Sequence, residues 1–228
     1  KSKVGLVGIG ILASLIILSA VAVITIPIDT FKQWNNPGKW ISYPKTSVPI
    51  WINYFMTEKI PEHLILDNPS AITKDDIISL TSHQFGVQYY YDDFPSDFIY
   101  EFSVEYSGSQ LLQISVIRPD QSQILLLSRS LPHSDTNIIH HERIFSTDNT
   151  IKKNIQIHFS EMGFYNQSTS SEDMIFANKD GQVLKGDYLF LVNIFGVEEN
   201  VEIIDSKLIL GGKVFGIMGT DELRRDLV

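Results

Sequence analysis

The chain has 228 residues, 43% of them apolar, with a formal net charge of −9 and a pI near 5.1, enough material for one sizeable hydrophobic core. The acidic balance argues against a nucleic-acid partner, because no basic stripe is present to displace counterions from phosphate. With no cysteine there can be no thiolate metal site, thiol nucleophile or disulfide.

The chain opens on VGLVGIGILASLIILSAVAVITI, residues 4–26, which carries no charge and no proline. At a rise of 1.5 Å per residue such a run makes a helix of about 34 Å, enough to cross a hydrocarbon core of about 30 Å. A cleaved signal peptide is the competing reading, but its apolar core is usually about 7 to 15 residues and ends in a small-x-small site. This run is longer and closes on Ile24-Thr25-Ile26-Pro27, so residues 1–27 read as a retained transmembrane helix. Gly10 and Ser14 lie one turn apart and offer a small-residue face for packing on another membrane helix. Lys1 and Lys3 precede the span, which places the amino terminus in the cytoplasm and the rest of the chain outside the cell.

Residues 28–62 hold all three tryptophans, Trp34, Trp40 and Trp51. Indole has an apolar body and a polar edge, so this stretch reads as a collar at the lipid headgroups, unless the rings pack into the following domain. Pro37, Pro44 and Pro49 predict an extended path through it.

From about Leu64 short strands are expected, forming an antiparallel β-sandwich over residues 63–218. Residues 98–106 alternate Phe98, Tyr100, Phe102, Val104 and Tyr106 with Ile99, Glu101, Ser103 and Glu105, a period of two. Residues 111–118, 124–130, 188–195 and 201–210 are read as further strands, and residues 151–159 as another with Ile151, Ile155, Ile157 and Phe159 on one face. Thr73 followed by Asp75 and Asp76 predicts a short helix over residues 73–80, and Asp180-Gly181 a tight turn. Leu184-Lys185-Gly186-Asp187-Tyr188 resembles the turn into a strand of immunoglobulin-like domains, which implies a tyrosine hydroxyl returning to the backbone.

Chemistry-bearing clusters are few. His140 and Glu142 would share one face of a strand, but two ligands make half a metal site and the spacing is not that of a zinc peptidase. Asp92, Asp93 and Asp97, and Glu172 with Asp173, lack the ordered spacing of a calcium loop. Tyr89, Tyr90 and Tyr91 either offer an aromatic surface or alternate into the core. No nucleophile elbow and no phosphate-binding glycine loop is present, so no enzyme, cofactor or metal is expected. Asn166-Gln167-Ser168 is an N-glycosylation sequon in a polar stretch, compatible with external placement.

The chain closes on GTDELRRD. Thr220 is a good helix cap and Asp221 and Glu222 suit a first turn, so residues 219–228 read as the start of a second membrane helix. The run resembles the G-T-D-x-x-G-R-D signature before the second helix of permease subunits of binding-protein-dependent ABC importers of the dipeptide, oligopeptide and nickel group. Gly219, Thr220, Asp221, Arg225 and Asp226 match it in order, and Arg224 stands where the family has glycine. The opening span is similar to those permeases' first helix, and WNNPGKW, YPK and PIWINYF resemble archaeal members with a long external insertion.

The resemblance implies the amino-terminal part of a permease importing peptides or a similar small solute, its sandwich contacting the solute-binding protein or the gate. Its partners would be membrane lipid, a second permease subunit, ABC ATPase subunits and the extracellular solute-binding protein. On this reading the chain is the front portion of a permease or a shortened gene. The alternative is a single-pass, membrane-anchored extracellular β-sandwich interaction protein with no transport role.

Overall fold

The computed structural model describes residues 3–25, 29, 32, 34–75, 79–161, 170–196 and 201–227. The chain divides into two compact units, Lys1–Ile41 and Ser42–Val228.

In the first unit α1 (Lys3–Thr25, 23 residues) is continuous, as expected of a run without proline. Its last turn closes with the Thr25 hydroxyl donating to the Val21 carbonyl at 2.8 Å. A short helix, α2 (Pro37–Trp40), follows, with Pro37 at its first position and the Asn36 side chain accepting from the Gly38 amide. The extended path predicted there is therefore corrected: a proline at the first helical position gives up no hydrogen bond and starts the turn.

The second unit is the sandwich, and its secondary structure is mostly β, as expected. Among the described residues nine strands make two antiparallel sheets. The strands are β1 (Leu64–Leu66), β2 (Ala71–Asp75), β3 (Leu80–Tyr89), β4 (Phe98–Gly108), β5 (Gln110–Ile117), β6 (Gln123–Ser130), β7 (Ser134–Phe145), β8 (Gly186–Gly196) and β9 (Val201–Leu210). One sheet has the order β1-β9-β4-β7 and the other β2-β3-β8-β5-β6. Only Ser109 separates β4 from β5, yet the two lie in different sheets; Gly108 makes that corner with φ of +76°, a conformation open to glycine.

The inward residues of the central strands β4 and β8 follow the period of two. Phe98, Tyr100, Phe102, Val104 and Tyr106 of β4 are all buried, opposite Phe85, Val87 and Tyr89 of β3 and Tyr188, Phe190, Val192 and Ile194 of β8. Ring contacts stitch the sheets together, Phe85 with Tyr100 at 5.9 Å and Phe98 with Phe190 at 6.1 Å. Ser206 brings polar contacts into this seam, among them His83 Nδ1 against Ser206 Oγ at 2.7 Å. The Tyr188 hydroxyl donates to the Leu184 carbonyl at 2.6 Å, the corner that its sequence context implied. Tyr89 is buried and Tyr90 exposed, so that tyrosine run alternates into the core.

Two expectations are corrected here. Residues 151–159 are not a strand but lie in helix α3 (Asn149–Glu161). The buried Ile151, Ile155 and Phe159 are spaced by four, while Ile157 is exposed and Lys153 breaks the alternation. Asp148 starts the helix, its carboxylate accepting from the Thr150 amide at 2.7 Å. Helix α3 covers β6, an edge strand, and the Asn154 side chain donates to the Leu126 carbonyl at 3.0 Å. Residues 73–75, expected to begin a helix, belong to β2, whose partner β3 begins at Leu80; pairing with that strand outweighs the capping signal of Thr73. Helix α4 (Ser171–Phe176) takes Glu172 and Asp173 into its first turn, where they complement the helix dipole.

Candidate functional site

The family-like motif lies at one end of the sandwich unit, where residues 42–63 run beside residues 211–227. Val48 donates to the Lys213 carbonyl at 2.9 Å, Phe215 donates to the Val48 carbonyl at 2.9 Å, and Ile50 donates to the Gly216 carbonyl at 3.0 Å. The approach of the backbones is close. A Cβ at Gly212 would lie 2.1 Å from the His63 nitrogen, and one at Gly219 2.2 Å from the Ser47 carbonyl oxygen.

The helix predicted from Gly219 is not formed; the segment folds as a closed turn. Thr220 and Asp226 pair in an antiparallel bridge, and the Leu227 amide donates to the Gly219 carbonyl at 3.1 Å. The reason lies in Asp221, whose carboxylate accepts from the Leu223 and Arg225 amides, both at 2.9 Å. Arg225 then grips Asp221 through Nε at 2.6 Å and Nη2 at 2.6 Å. Burial opposes ionisation of Asp221, but the hydrogen bonds from Arg225 and Leu223 outweigh it and hold the carboxyl below its ordinary range. Arg224 has φ of +66°, the left-handed region that favours glycine. Its guanidinium donates to the Tyr43 carbonyl at 2.7 Å and lies 3.5 Å from Asp97.

Thr220 is buried and does three jobs. Its hydroxyl donates to the Pro44 carbonyl at 2.8 Å, accepts from the Ser47 amide at 3.0 Å and meets the Ser47 hydroxyl at 2.9 Å. Behind it His63 Nδ1 accepts from the Gly212 amide at 3.3 Å while Nε2 faces the Ser42 carbonyl at 2.8 Å, which assigns the neutral ring with its proton on Nε2. Burial holds the His63 pKa below the ordinary imidazole value, against the pull of the Ser42 carbonyl and Asp97.

The structure thus brings Gly219, Thr220, Asp221, Arg225 and Asp226 into one turn. Gly10 and Ser14 are exposed on α1, and a Cβ at Gly10 would meet nothing within 4 Å. Trp40 is buried, its indole donating to the Trp34 carbonyl at 3.1 Å and its ring 5.6 Å from that of Trp34, whereas Trp51 is 46% exposed. Asn166 lies outside the described residues.

The acidic runs resolve into ion pairs: Asp92 meets Lys185, and Asp93 meets Lys213 at 2.7 Å. Glu142 is shared by Arg129 and His140, while His141 turns to Ser103 at 2.7 Å, so the His140-His141-Glu142 run is split between partners. Among the described residues no group of three or more His, Asp or Glu side chains could hold a metal.

Sequence reasoning missed what surrounds the turn. The 3-10 helix Ile50–Tyr54, the following Phe55 and the Gly216–Gly219 bend expose Trp51, Tyr54, Phe55, Ile217 and Met218, and Leu223 is exposed in the turn that follows. The available signal was the pairing of Tyr54-Phe55 and Ile217-Met218, adjacent large apolar residues that a half-buried strand could not hide together.

No protein-family model matches the chain and no curated protein matches it. Among solved structures, a carbohydrate-binding module specific for non-crystalline cellulose is similar at 6% identity and a TM-score of 0.27, covering 68% of this chain and 78% of that one. A second carbohydrate-binding module gives 3% identity and a TM-score of 0.24 over 72% of this chain and 84% of its own. A third, from a study of promiscuous specificity in the β-sandwich superfamily, gives 4% identity and a TM-score of 0.26, covering 75% of this chain and 62% of that one. The sandwich assignment itself follows from the strand pairing above.

Proposed function

We propose that the chain is a single-pass, membrane-anchored β-sandwich interaction domain, held by α1 with Lys1 and Lys3 in the cytoplasm and the sandwich outside the cell. The observation that carries this reading is the surface of α1. From Leu6 to Ile24 each of its Leu, Ile and Val side chains is at least 50% exposed, so the helix has lipid rather than a protein core as its natural solvent. Because the chain lacks cysteine, a single Leu125→Cys variant on the exposed outer face of β6 tests topology. A membrane-impermeant thiol reagent is expected to label it on intact cells, and the protein is expected to stay with membranes through alkaline carbonate. Labelling only after permeabilisation overturns the external placement, and release by carbonate overturns the anchor.

A second reading, the amino-terminal part of an ABC importer permease, is favoured by one specific observation. Arg224 occupies a positive-φ position at the place where the permease signature carries glycine, so the signature's glycine suits the backbone of this turn. On that reading the protein isolated from its own membranes would bring an ATPase subunit with it and yield apolar peptides beyond residue 228. Isolation without an ATPase removes the transport reading and leaves the anchored domain.

A further inference from the structure

We propose that the end of the sandwich built by residues 46–56 and 214–227 is a lipid-contacting tip, seated in the headgroup layer of the membrane that α1 crosses. This rests on the reading of α1 as an anchor.

The first argument is exposure. Trp51 is 46% exposed, Tyr54 84%, Phe55 83%, Ile217 64%, Met218 58% and Leu223 62%. Six large apolar side chains left exposed on the two segments that build one end of a folded unit are more than soluble monomers usually leave bare. The patch is continuous across the two segments. The Trp51 indole donates to the Ile217 carbonyl at 2.9 Å, and its ring lies 6.3 Å from that of Phe55.

The patch is also held rigidly. Its base is the buried Thr220 and Ser47 pair, and its edge is the Asp221 and Arg225 turn. Asn53 fixes the far side of the 3-10 helix by exchanging hydrogen bonds with the Ile60 amide at 3.1 Å and carbonyl at 2.9 Å. The apolar groups are therefore presented by the fold rather than spilled by a frayed end.

Three further observations choose lipid as the occupant. Residues 63–210 carry nine Lys and Arg against twenty-one Asp and Glu, whereas residues 42–62 and 211–228 carry five of each. An anionic bilayer repels the body of the sandwich and not this end. The side-chain chemistry is that of an interface: indole and phenol rings with a polar edge, flanked by Met, Ile and Leu. And residue 46 lies 21 residues after Thr25, which puts the tip among the first parts of the unit that the chain reaches after α1.

The test uses the full chain, free of native cysteine, with single cysteines carrying a nitroxide at Leu15 in α1, at Phe55 and Met218 in the tip, and at Leu125 on β6. Each variant is placed in nanodiscs of mixed neutral and anionic phospholipid, and accessibility to oxygen and to a water-soluble nickel chelate is read by power saturation. All four positions are exposed, so folding is not at stake. The tip labels are expected to show about threefold or more lower access to the chelate than Leu125, with raised access to oxygen. Tip labels as wet as Leu125 beside a lipid-immersed Leu15 overturn the tip and leave the anchor standing. A wet Leu15 overturns the anchor reading itself. Tip labels shielded from both chelate and oxygen mean that protein covers the patch, which overturns lipid as its occupant.

Discussion

The body of the sandwich and its tip obey opposite rules. Between Leu64 and Leu210 most of the large apolar side chains turn inward, with Ile72, Tyr90, Leu125, Ile139, Ile157 and Ile204 scattered singly outside, the core rings are almost without exposure, and the charge is strongly acidic. At the tip the backbone polar groups are buried, in the knot of Thr220, Ser47 and Pro44, and the large apolar side chains point out. The body draws its stability from area removed from water, the tip its shape from hydrogen bonds. An inverted distribution of that kind is what a lipid-contacting tip would need.

The contrast can be broken first in the body. Phe190→Ala empties a site between the sheets and is expected to cost about 3–5 kcal/mol, read as a fall in the urea midpoint with the slope unchanged. Thr220→Val keeps the shape of the tip's base but strands the Pro44 carbonyl and the Ser47 amide, at an expected cost of about 2 kcal/mol. Faster amide exchange at Ser47 and Thr220, with the β8 amides unchanged, would locate that loss in the tip.

Acid probes both regions at once. His63, against Ser42 and Gly212 beside the tip, and His83 in the seam have pKa values lowered chiefly by burial, so the unfolded chain takes up protons that the folded one refuses. Stability is therefore complete above about pH 6.5, the ordinary imidazole value, and declines as the pH falls below it toward the lowered folded values. His140, lowered by burial and by Arg129, adds to the same window, whereas the depressed carboxyl of Asp221 gives way only below about pH 4. Urea melts at pH 7.5 and 5.5 should differ less in His83→Gln than in the parent. An equal difference in both would show that His83 does not titrate with unfolding.

The smallest effect belongs to the tip's outward side chains. Phe55→Ser combined with Ile217→Ser should leave stability within about 0.5 kcal/mol, because both groups are already in water in the isolated fold. A loss as large as that of a core residue would mean that these side chains are packed.

Much of the fold was legible. Residues 98–106 and 188–195 keep the period of two that half-buried strands impose, residues 201–210 are an apolar run bounded by turn residues, and all three are strands. Residues 151–159 misled because Ile155, Ile157 and Phe159 satisfy a period of two locally, while Lys153 and the Asp148 cap carry the helical information. Residues 73–75 misled for the opposite reason: a capping signal stood where a long-range partner, β3, decides the structure. The motif residues of the tip were identifiable by type, but not their arrangement. Thr220 and Asp221 favour a helix start and equally a turn, and only contact with Ser47 and Pro44, far away in sequence, selects between them.

The Thr46 amide donates to the Asp221 carbonyl at 3.1 Å, so the backbone arrives at the sandwich and departs from it at neighbouring points. A folded body whose two leads touch behaves as a cartridge. It can be set into a surface loop of a host polypeptide, or removed from one, with little change in the path of the host on either side. Bridging residues 46 and 221 directly with a short turn would excise the cartridge without forcing the two cut ends apart.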